Sequence, residues 1–80
     1  MDGWLEEARA KLAETVGEDA SAYDLSRAEM DELLELARVA AHASGERTNA
    51  PLLCYLVGLA RGRHGADLAD LVDATVGTSA

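Results

Sequence analysis

Phenylalanine is missing from this chain, and Trp4, Tyr23 and Tyr55 are its only aromatic residues. A core made without many large rings must come from leucine, valine and the abundant alanine, whose small side chains let helices approach closely. The single cysteine, Cys54, excludes a disulfide framework and a thiolate metal cage, and it fits a reducing cytoplasm. Basic residues are scarce: 7 Lys and Arg stand against 15 Asp and Glu, a net charge of −8. A domain so acidic repels a phosphate backbone, so nucleic acid is not expected as a partner. No apolar run approaches the ~20 residues of a membrane span. The opening Met1-Asp2-Gly3-Trp4 has an acid where a signal peptide carries basic residues, so no membrane partner is expected and the expected location is cytoplasmic.

Motifs that spell a reaction are lacking as well. The chain has no Gly-x-Gly-x-x-Gly, phosphate-binding loop, serine elbow or His-Glu-x-x-His. Sequence neighbours such as Glu6/Glu7 and Asp31/Glu32 diverge by about 100° around a helix, which makes them solvated faces rather than acid–base pairs. The expectation is a protein without enzyme activity, metal site or cofactor. Its 80 residues make a single helical domain, residues 1–80. A chain of that size buries roughly 60% of its unfolded surface.

What is present is punctuation for four helices. Trp4, Leu5, Ala8, Leu12 and Val16 recur at three and four residues, predicting an amphipathic helix from about Asp2 to Val16 with Gly17 beyond its end. Glu18 to Asp24 reads as a short polar connection. Ser26-Arg27-Ala28-Glu29 is a capping box, flanked by Leu25 and Met30 as a hydrophobic staple. The helix it opens carries Met30, Leu33, Leu34, Ala37, Ala40 and Ala41 on one face, and Gly45 ends it. Asn49 or Ala50 caps the third helix, with Pro51 in the first turn, and the apolar run Leu52 to Ala60 stops at an Arg61–Gly65 turn. Gly58 inside it predicts a close approach by another helix backbone. Leu68, Leu71, Val72 and Val76 mark a fourth helix, and Gly77 to Ala80 should fray. The fold class is all-α: a small four-helix bundle in which the third helix, about 51–61, is the most buried.

Charge is unevenly spread. Residues 36–66 hold four arginines and both histidines against Glu46 alone, a balance of +3 beside −11 in the remainder. One reading is a basic surface of Arg38, His42, Arg47, Arg61, Arg63 and His64, suited to a phosphate or an acidic partner. The other is that these cations sit near helix C-termini and complement the dipole. His42 has no second ligand three or four residues away and reads as a partly buried histidine bonded to a backbone carbonyl. Cys54, between Leu53 and Tyr55, reads as structural. Tyr55 needs a partner for its hydroxyl or access to solvent.

From Leu34 to Arg63 the chain resembles a family of small actinobacterial helical domains of unassigned function. Its members share Leu-Ala-Arg-x-x-Ala-His, a short loop, then Ala-Pro-Leu and an apolar run into Gly-Leu-Ala-x-Gly. Here those elements are Leu36 to His42, Ala50 to Leu52 and Gly58 to Gly62. The family's usual Thr and Phe are replaced by Cys54 and Tyr55, and the fourth helix matches loosely. Such domains are similar to a segment beside or fused to nucleotidyltransferases of the molybdenum-cofactor guanylylation type. The resemblance implies an accessory domain docking on such an enzyme through the loop bearing Arg47 and Asn49 and the Arg61–His64 segment. Two alternatives stand beside it: a module holding a nucleotide or pterin phosphate against Arg38, His42 and Arg63, and a homodimerising bundle.

Overall fold

The structure, a computed structural model, describes residues 2–77. Asp2 caps the first helix, α1 (Gly3–Val16), by accepting from the Leu5 amide at 2.8 Å. A 3-10 turn, Ala20–Tyr23, fills the connection that the sequence suggested was irregular, with Asp19 capping it through the Ser21 amide. α2 (Arg27–Ser44) opens on the expected capping box. The Glu29 amide donates to Ser26 Oγ at 3.1 Å and the Ser26 amide to Glu29 Oε1 at 2.8 Å. α3 (Asn49–His64) and α4 (Leu68–Val76) follow, the latter capped by Asp67. α1, α2 and α3 each stop on a glycine in the left-handed conformation: Gly17, Gly45 and Gly65. Gly77 is the C-cap of α4; the rest of the tail expected to fray, residues 78–80, lies outside the described residues.

The molecule is an all-α, small four-helix bundle whose core lies among α2, α3 and α4. Leu36, Val57, Leu68 and Val72 form the buried cluster, with Leu33, Leu53, Cys54, Leu71 and Val76 packed on it. The Arg61 guanidinium meets Glu29 Oε2 at 2.5 Å, so the end of α3 lies against the start of α2 and the two helices run antiparallel. α1 stands apart from this core. Among the described residues its backbone comes close only to the 3-10 turn. Arg9 fastens it there, donating through Nη1 to Ala20 O and Asp24 Oδ1 and through Nη2 to Glu6. The result is elongated, 40 × 25 × 20 Å, with a radius of gyration of 13.5 Å against about 11.6 Å for a compact chain of this length.

Expectations about α3, Gly58 and the buried face of α2 need correction. α3 is not enclosed: Val57 is its one fully buried residue, while Leu52, Tyr55, Leu56 and Leu59 are exposed. With α1 held at the side, only α2 and α4 cover it. The cap of α3 is Thr48, and the helix runs through Gly62 to His64 rather than turning at Arg61. Gly58 receives no close backbone, since nothing lies within 4 Å of where its Cβ would be. On α2 the deepest residue is Leu36, fully buried, whereas Leu34 is 70% exposed. The two lie about 160° apart around the helix, and the covered arc is the one through Leu33, Leu36 and Ala40.

Candidate functional site

The antiparallel hairpin of α2 and α3 divides the basic segment. His42, at the end of α2, and Arg47 and Asn49, at the start of α3, lie at one end of the hairpin. Arg61, Arg63 and His64 occupy the last turn of α3 at the other end. Twelve residues of helix separate Asn49 from Arg61, a rise of about 18 Å. The structure therefore brings these residues together as two groups. Arg38 stands between them on α2, forked onto Glu35, whose carboxyl this contact holds below its ordinary range. Arg61 is engaged with Glu29. The Ser26 amide and then the Arg61 guanidinium hold the Glu29 carboxyl below its usual value. Arg47, Arg63 and His64 are exposed. So is His42, which lacks the partly buried setting expected of it. Each α3 cation also sits where it complements the helix dipole.

Cys54 is half-buried against the core cluster, and burial pushes its thiol pKa up, which keeps it a poor nucleophile at neutral pH. Tyr55 points its ring outward, 68% exposed, so its hydroxyl is solvated. Tyr23 donates to Glu18 Oε1 at 2.6 Å, a contact that raises its own pKa. Among the described residues no group of three or more His, Cys, Asp or Glu converges on a common point.

The most distinctive concavity is a groove between α1 and α3. Leu5, Ala8 and Leu12 form one wall, Gly58 and Gly62 the other, with Tyr23 and Leu25 between them. Leu5 is 39% and Leu12 51% exposed, so the apolar stripe of α1 faces an open slot instead of a packed neighbour. Neither Gly58 nor Gly62 has an atom within 4 Å of its Cβ position, which leaves bare helix backbone along the second wall. At its edges Arg9 and Arg61 are already neutralised by Glu6, Asp24 and Glu29. These groove residues were absent from the charge-based set except for Arg61. The available signals were the α1 period, which predicts an amphipathic helix, and Gly58, which predicts a close backbone approach; Gly62 reads in the sequence as part of the Arg61–Gly65 turn.

A family profile described as a domain of unknown function, DUF6457, matches residues 1–80. No curated protein gives a match. No solved structure does so either. The profile covers every residue of the chain, so this all-α bundle belongs to the DUF6457 family.

Proposed function

We propose that this domain is a non-enzymatic protein-interaction module that receives a helix of a partner protein in the groove between α1 and α3. One observation carries the reading: Leu5 and Leu12 stand exposed across from the open backbone of Gly58 and Gly62. An amphipathic helix laid there would cover the α1 stripe and pack closely along the glycine wall, the usual economy of helix-in-groove recognition. The pairing of Arg9 and Arg61 within the chain makes the groove apolar in character rather than an anion site. For the same reason a nucleotide- or pterin-phosphate module is less favoured, since Arg38 is also occupied, by Glu35.

The partner class comes from the resemblance of Leu34 to Arg63 to domains accompanying nucleotidyltransferases of the molybdenum-cofactor guanylylation type. An amide NMR titration of the labelled domain with the guanylyltransferase of the same organism tests both parts. Shifts at Leu5, Leu12, Tyr23, Gly58 and Gly62, abolished by Leu12→Glu, are the expected result. Shifts confined to His42, Arg47 and Asn49 would move the contact to the α2–α3 loop and overturn the groove assignment. An unchanged spectrum would remove this partner.

A further inference from the structure

Along the uncovered side of α3, Leu52, Tyr55, Leu56 and Leu59 are 62%, 68%, 58% and 37% exposed, with Leu52 and Leu56 at the edge where a hollow opens towards Ala40 and Val76. They stand at helical positions i, i+3, i+4 and i+7 and form one stripe, with Arg63 at i+11 continuing its line. None of these residues lines the α1 groove, so this is a second uncovered face. We propose that it is a homodimer face, on which α3 of a second copy packs antiparallel about a two-fold axis between Tyr55 and Leu56.

Three features favour a second copy as the occupant. First, the stripe is self-complementary. Antiparallel pairing sets Leu52 against Leu59 of the second copy and Tyr55 against Leu56, as an isologous contact requires. Second, the area suffices. The four side chains leave on the order of 400 Å² uncovered, and the exposed Thr48, Pro51 and Arg63 extend the face to roughly 600–700 Å², at the lower end of the ~600–1,000 Å² per partner of a specific interface. Third, the charge permits it. Every Asp and Glu of this −8 chain lies outside Asn49–His64. Two copies meeting on this face keep their acids apart, whereas α1, α2 and α4 all carry acids. The same pairing carries Arg63 to Thr48 of the second copy, within a turn of its Glu46 and next to its Arg47.

Sedimentation equilibrium from micromolar to millimolar concentration tests this directly. The expected result is a mass rising from 8.4 kDa towards twice that value, and a return to the monomer mass over the same range for the double variant Tyr55→Glu, Leu56→Glu. Both positions are exposed, and far-UV circular dichroism checks that the variant keeps its helices. Leu12→Glu, on the groove, should leave the dimer intact, which separates this face from the partner groove. A wild-type chain that stays at 8.4 kDa at millimolar concentration overturns the proposal. So does a dimer unaffected by the double variant.

Discussion

Truncating Leu36 to alanine offers the sharpest test of where the core lies, because its neighbour Leu34 supplies the control. Leu36 is fully buried and touches the cluster of Val57, Leu68 and Val72 that joins α2 to α3 and α4. Removing a buried leucine side chain costs ~2–5 kcal/mol through lost transfer energy and the cavity left behind. A chain of this length holds on the order of 4–12 kcal/mol in total, so the variant should lose about a sixth of its stability or more. At about 4–8 °C per kcal/mol for a domain of this size, a loss of ~3 kcal/mol lowers Tm by roughly 12–24 °C. Leu34 is 70% exposed and two residues away. Its truncation removes little buried area and installs the best helix former, so the cost stays below ~1 kcal/mol. Thermal and urea melts of both variants, followed by far-UV circular dichroism, measure the contrast. Equal losses, or a larger loss at Leu34, would refute the core assignment and return α2 to the orientation read from its sequence.

Gly58→Ala and Gly62→Ala should each stabilise the domain by ~0.5–1 kcal/mol, because both lie inside α3 with nothing within 4 Å of the new Cβ. Gly45→Ala should destabilise it, since Gly45 holds φ 72° at the end of α2; chemical denaturation of the three variants gives the signs. Glu29 has its folded pKa depressed by the Ser26 amide and Arg61, so its contribution is present above the ordinary value of 4.5 and lost as pH falls through the folded value. The stability gap between wild type and Glu29→Gln should therefore be widest near neutral pH and close in acid; a gap that is flat with pH contradicts the assignment. Burial raises the Cys54 pKa above its ordinary 9.0, so alkylation of the folded chain should show a rate midpoint above that pH and a shift back towards it in denaturant.

The sequence alone determined the local structure, because its signals act over a few residues. Asp2, Ser26 and Asp67 each place an acceptor at a helix start, and the Ser26–Glu29 box is satisfied in both directions. Gly17 and Gly45 stop helices where their positions predicted, and a 3.6-residue period marked α1 and α4. At Arg61–Gly65 the residue types predict a turn, whereas helical hydrogen bonding carries through Arg61, Gly62 and Arg63 to Gly65.

Tertiary structure decided which apolar surfaces are covered. α3 is apolar all round, so its own pattern gives no direction; α2 and α4 cover one side and leave Leu52, Tyr55, Leu56 and Leu59 outside. α2 carries leucines at 33, 34 and 36, an arc wide enough for two orientations, and packing against Val57 and Val72 selects the one that buries Leu36. The charge-based site residues were legible as residue types, yet the antiparallel turn between α2 and α3 separates His42, Arg47 and Asn49 from Arg61, Arg63 and His64. The groove lies between α3 and an α1 that Arg9 ties to the 3-10 turn through Ala20 and Asp24 and whose backbone does not come close to α3. No local pattern encodes that placement: the Arg9 bonds reach a carbonyl and a carboxylate 11 and 15 residues along the chain, which only folding brings within reach, and Ala13 of α1 is buried as well.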